Sequence, residues 1–227
     1  MTSRQYIHDL KFVNSSSHTD CNPLSSFPFK IKPDVSIYPH TMDNKVMTNS
    51  ALVEVFVKFK WNSIDNPFYN PEPNSDQSFL HGSKTALNTL GQITSYAMAQ
   101  LSAQFQTHIF SVFILQDTVR LLQWDRSGTI VTEAIKYNEC NILTEFFFCY
   151  LKVPPGMCGN DESVLDPSLT EKVAARAALQ LNETIPLAKL SIPSPDGVHF
   201  FVTSAPEATA YTPPRCATHG FKAYDVL

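Results

Sequence analysis

With 43% hydrophobic and 17% charged residues, a chain of 227 residues can bury a core without metal or disulfide staples, and this composition excludes wholesale disorder. A formal net charge of -4, with no dense Lys/Arg run to offset it, argues against a nucleic-acid surface or an anionic membrane as partner. The five cysteines, Cys21, Cys140, Cys149, Cys158 and Cys216, never form a C-x-x-C pair, so they indicate neither a disulfide framework nor a zinc site and point to a reducing intracellular compartment, cytoplasm or nucleus.

Residues 1–31 mix Ser, Thr, Asn and Pro with scattered aromatics and read as an extended N-terminal arm, with order beginning near Pro33. The opening MTSRQYIHDLKF lacks the apolar stretch of a signal peptide, and the longest apolar runs elsewhere are too short to span a bilayer. "PDVSIYP" (33–39) and "ALVEVFVKFKW" (51–61) alternate as strands do, the second with Val53, Val55, Val57 and Phe59 on one face. Prolines 67, 71 and 73 make the stretch 62–82 a loop. From Ser83 to Gln106 the composition turns to Ala, Leu, Gln and Met without proline, and Leu87, Leu90, Thr94, Ala97, Leu101 and Phe105 recur at helical steps.

After His108, "IFSVFIL", "VRLLQW" and "TIVTEAI" predict a three-stranded antiparallel meander, with a turn at Asp125-Arg126-Ser127-Gly128 in which Gly128 tolerates positive φ. "ECNILTEFFFCYLKV" (139–153) predicts a buried helix stopped by Pro154-Pro155, and buried thiols are the reading for Cys140, Cys149 and Cys158. "SLTEKVAARAALQLNE" (168–183) predicts a helix whose Ser168 and Glu171 make a capping box. A hairpin turning at 195–197 follows, and "GFKAYDVL" ends the chain as an apolar strand with no partner after it. The order predicts an α+β, mixed α/β class: an antiparallel or mixed sheet with flanking helices.

Two strands bearing Asp34, Lys58 and Lys60, followed by a helix with Gln92 and Tyr96, have the order of a PD-(D/E)xK nuclease core. In that chemistry an Asp and a Glu hold a divalent metal, and a Lys two residues on positions the attacking water. Here Lys58 stands where the second carboxylate belongs, and Glu54 is two pleats away along the same face. Asp34, Lys58, Lys60 and Gln92 therefore read as a vestigial site with no metal bound, on a nuclease-like scaffold or on an unrelated strand pair. No H-x-x-x-H, H-E-x-x-H or G-x-S-x-G spacing occurs. The hairpin residues Trp124, Asp125, Arg126 and Glu133 read as turn and core rather than as a binding edge.

The continuous block "LGQITSYAMAQLSAQFQTHIFSVFILQDTVRLLQWDRSGTIVTEAIKY" (90–137) resembles the fungal-type protein kinase family. The runs "PDVSIYP", "VEVFVKFKW", "LTEFFFCYLKVPPGMCGND" and "PPRCATHGFKAYDV" agree with it from about Pro33 onward. The resemblance implies an accessory α/β domain over 32–185 and, over 186–227, the first hairpin of a kinase N-lobe, cut short. It places Arg215, Thr218 and Gly220 near the phosphate-covering loop. It also implies ATP and Mg for the full-length family, but none for these residues, since no H-R-D or D-F-G string is present. Without those groups phosphoryl transfer has neither its catalytic Asp nor its metal ligands, so the expected role is regulatory, with a protein partner or the kinase lobes on its surface.

Overall fold

The structure is a computed structural model that describes residues 9–22, 30–40, 48–70, 72, 76–183, 185–204 and 220–226. Its class is α+β. Seven strands form the main sheet: β1 (Leu10–Asn14), β2 (Val35–Pro39), β3 (Val55–Lys60), β4 (His108–Leu115), β5 (Thr118–Asp125), β6 (Thr129–Val131) and β7 (Ile135–Lys136). The spatial order is β1-β2-β3-β4-β5-β6, with β7 also on β5. Every pairing is antiparallel except β3 with β4. A parallel pair needs a crossover, and helix α1 (Lys84–Ala103) supplies it.

The strand β1 falls inside the expected arm, and order therefore begins well before Pro33. Leu10–Asn14 pair in register with Val35–Pro39, and Ser15 Oγ donates to the Pro33 carbonyl. The carboxylate of Asp20 holds the following loop by accepting from Ser50 N, Ser50 Oγ and Asn22 N. Sequence pattern missed this strand because only one of its side chains, Val13, is fully buried.

Ser83 caps α1 by accepting from the Ala86 amide. Ile93, Ala97 and Leu101 bury against Ile109, Phe113, Leu122 and Trp124 on one face of the sheet. The buried stripe is rotated from the expected one: Ala86, Thr89 and Tyr96 face inward, while Leu87 is 48% exposed. Helix α2 (Ile142–Lys152) covers the opposite face through Tyr150, Phe146 and Phe147, packed near Val55, Val57, Val112 and Val119. It is not the buried helix the sequence suggests, because Tyr150 alone is fully buried and Phe148 is exposed. Cys149 is exposed for the same reason, and Cys140, just before α2, is exposed as well; Cys158 is buried, and Cys216 lies outside the described residues.

Strand β3 also departs from the expected single face. Val53 precedes the strand and packs with Phe56 and Tyr96 on the α1 side, whereas Val55 and Val57 pack on the α2 side and Phe59 is 45% exposed. A bend at Glu54 resets the alternation. The meander forms as β4–β5–β6, but "TIVTEAI" breaks into β6 and β7. The break lies where side chains take over ladder groups: Arg120 Nη1 donates to Thr132 O, and Asn70 Oδ1 accepts from Ala134 N.

In the β5–β6 turn the Asp125 carboxylate accepts from the amides of Ser127 and Gly128, at 2.6 and 2.8 Å. Gly128 lies outside the left-handed region, and a Cβ there meets nothing within 4 Å. Gly128→Ala should therefore keep or raise stability, by up to about 1 kcal/mol, through loss of unfolded-chain freedom. Urea denaturation checks it; a loss above 1 kcal/mol would contradict this geometry.

A second, four-stranded antiparallel sheet contains β8 (Val164–Leu165), β9 (Ala188–Ser194), β10 (Gly197–Thr203) and β11 (Ala223–Asp225), in the order β11-β10-β9-β8. Helix α3 (Leu169–Leu179) packs on it through Ala175, beside Leu187, Val202 and Tyr224. Its capping box joins Ser168 to Glu171, and Glu171 also bonds Lys189 of β9 at 2.7 Å. That Lys189 bond is the largest of the contacts holding the Glu171 carboxyl below its usual range. By pairing and packing, β8 and α3 join β9, β10 and β11 rather than the main sheet. The final run has a partner after all: Ala223–Asp225 pair with Phe201–Thr203. No helix among the described residues is long and apolar enough to cross a membrane.

Candidate functional site

Asp34 immediately precedes β2, and the register of β2 on β3 sets Val35 opposite Val57. The next position out brings Asp34 against Lys58. The Lys58 ammonium lies 3.0 Å from Asp34 Oδ2 and 3.2 Å from Oδ1, and the Phe59 amide donates to Oδ2 at 2.7 Å. Lys60, two residues on and so on the same face, lies 4.0 Å from Asp65 in a short 3-10 turn, Ser63–Asp65. Two cations and two carboxylates thus neutralise one another at this end of the sheet.

The remaining residues of the nuclease-like order do not join them. Glu54 is buried at 1% exposure, and its Oε2 accepts from the Tyr150 hydroxyl of α2 at 2.8 Å. It is therefore committed to the α2 side, not to the face of Lys58. Its backbone is fixed as well, since Gln100 Nε2 donates to the carbonyls of Val53 and Glu54. Gln92 is exposed on α1, one turn before Tyr96, and bonds neither Asp34 nor Lys58. Tyr96 instead donates its hydroxyl to the Lys32 carbonyl at 2.6 Å and so props the chain leading into Asp34.

Could these residues hold a divalent cation? Magnesium and manganese require several hard oxygen ligands, and Asp34 is the one carboxylate at the centre of the constellation. Both of its oxygens are engaged by donors, and a metal beside them would face the Lys58 ammonium at contact distance. The residues do not fit a metal. Among the described residues no three His, Cys, Asp or Glu side chains group as a metal site. The residues assigned to nucleotide contact offer less: Gly220 is exposed just before β11, and Arg215 and Thr218 lie outside the described residues. No H-R-D or D-F-G string, which in kinases carries the catalytic Asp and a metal-binding Asp, occurs in the sequence.

Arg120 is the side chain the sequence reading missed. It is 4% exposed, and it donates to Thr132 O, Tyr69 O and Asn70 Oδ1 at 2.6, 3.2 and 2.6 Å. Its guanidinium also sits 5.4 Å from the Phe68 ring centroid and 5.9 Å from that of Phe79. Burial lowers its pKa, and Glu133 opposes that shift. The one hint in sequence is a single cation inside the apolar strand "VRLLQW". On the same strand, Trp124 donates to Ser111 Oγ at 2.7 Å and so ties β5 to β4.

Burial pushes the phenols of Tyr38 and Tyr96 up to about 12. A raised folded-state pKa means the folded protein keeps protons that the unfolded chain gives up above pH ~10. Stability should be unaffected by these groups below pH ~10 and should fall between pH ~10 and ~12, as a denaturation series across that window would show. Replacing both tyrosines with Phe should flatten the fall.

No protein-family model, no curated protein and no solved structure matches this chain.

Proposed function

We propose that the chain is a non-catalytic accessory domain of a fungal-type protein kinase, acting in regulation or partner recognition through a nuclease-like scaffold. The observation that carries the non-catalytic part is the Asp34 carboxylate, closed off by the Lys58 ammonium and the Phe59 amide. An oxygen ligand held in that way can brace two strands but cannot polarise water or neutralise phosphate. Support for the kinase relation comes from the block 90–137, which forms one continuous structural unit: most of α1, the β4–β6 meander and β7. Its WDRSG turn is built by Asp125, and its Arg120 fastens the loop before the helix.

The experiment is to read the transcript beyond the codon for Leu227 in the source cell and to assay the purified chain with ATP and a generic substrate. Continuation into a Lys-bearing strand with H-R-D and D-F-G motifs, and no phosphoryl transfer by the chain itself, are the expected results. A stop codon at that point would overturn the kinase relation, and transfer of γ-phosphate would overturn the non-catalytic reading.

The second reading is a nuclease-derived module whose metal chemistry is lost. The antiparallel β2–β3 pair, the α1 crossover and the parallel β4 favour it, since they present Asp34 and Lys58 side by side.

A further inference from the structure

Where α1 hands over to β4, the chain makes a short antiparallel contact with the segment leading into β8. Gln106 pairs with Asn160 across it. The bonds flank the pair: Asp161 N donates to Phe105 O, and Thr107 N donates to Gly159 O. That pattern defines a non-hydrogen-bonded pair, in which the two side chains leave on the same side and stand closest to each other. Here both are primary amides.

Gln106 is 5% exposed, and among the described residues neither its Oε1 nor its Nε2 has a hydrogen-bond partner; the same holds for Asn160 Nδ2. Three buried polar atoms, two donors and one acceptor, thus belong to one directly opposed pair of residues. Buried amides that satisfy no protein group are exceptions that call for a partner. A cation would serve only the acceptor, and an anion only the donors. A water molecule accepts from two donors and donates to one acceptor in a single position, and it serves equally well if the Asn160 amide is turned over.

We infer that Gln106 and Asn160 form an internal binding site for one water molecule, bridging the α1–β4 junction to the lead-in of the second sheet. The site is independent of the Asp34–Lys58 pair and of the kinase reading. It ties together two segments that otherwise share a few backbone bonds and the side-chain bonds of Thr107 Oγ1 to Gly159 O and of His108 Nε2 to Met157 O.

The test is a high-resolution crystal structure of the full chain. A single density peak within hydrogen-bonding distance of both amides, about 2.7–3.2 Å, is expected. An empty site, amides bonded to other protein groups, or density larger than one water would overturn the inference. Oxygen-17 relaxation dispersion in solution gives an independent readout: Gln106→Met should lower the count of long-lived internal waters by one, and an unchanged count would sink the proposal.

Discussion

Gly159→Ala is expected to lose most of its folded population, with a loss of at least about 4 kcal/mol, the range reserved for a named backbone or packing violation. Gly159 adopts φ +98, and a Cβ there would stand 1.8 Å from the carbonyl oxygen and 2.7 Å from the carbonyl carbon of His108. Both obstacles are backbone atoms of β4, so no side-chain rotation relieves them. The two segments cannot simply draw apart, because Thr107 N bonds Gly159 O at 2.8 Å and His108 Nε2 meets Met157 O at 3.2 Å. Soluble yield and urea denaturation measure the effect. Gly197→Ala separates its two causes, having a positive φ of 142 with nothing within 4 Å of the new Cβ, and should cost about 1–2 kcal/mol. Equal losses at both positions would contradict the close contact with His108.

Arg120→Ala should cost about 3 kcal/mol, through three lost hydrogen bonds, lost ring contact and a cavity. The loss follows from what Arg120 connects. One guanidinium holds Thr132 at the break between β6 and β7, and Tyr69 and Asn70 in the proline-rich stretch after β3. Removing it takes the guanidinium donor from the Thr132 and Tyr69 carbonyls at a partly buried place, which is the expensive side of a hydrogen bond. Arg120→Lys should recover little, because an ammonium cannot reach three acceptors in one plane while lying over the two rings. Denaturation of the two variants checks the order. A loss below 1 kcal/mol for Arg120→Ala would show that the loop is held by other contacts.

What the sequence revealed depended on periodicity. Helix α1, the β4–β6 meander, the capping box of α3 and the β9–β10 hairpin were legible because cap, turn and apolar spacing agree at each. Strand β1 was not, because its stability comes from pairing with β2 rather than from a buried face of its own. The face of Glu54 was misread because alternation applies only within a strand, and β3 begins at Val55, one residue later. In the candidate site, adjacency of Asp34 and Lys58 was legible from the order of two strands. Their direct ion pair and the Phe59 amide bond were not, since register alone decides them. Arg120 and the Gln106–Asn160 pair escaped because each joins segments about 50 residues apart, and nothing local in the sequence marks their partners.

The central claim is that Lys58, not a metal, is the cation of Asp34. Calorimetric titration of the purified chain with Mn²⁺ and Mg²⁺ tests it most directly, with Asp34→Asn and Lys58→Glu in parallel. The account predicts no binding by the unmodified chain that depends on Asp34, and a gain of divalent-metal binding in Lys58→Glu if the scaffold is nuclease-like. Stoichiometric Mn²⁺ binding by the unmodified chain that disappears in Asp34→Asn would contradict it.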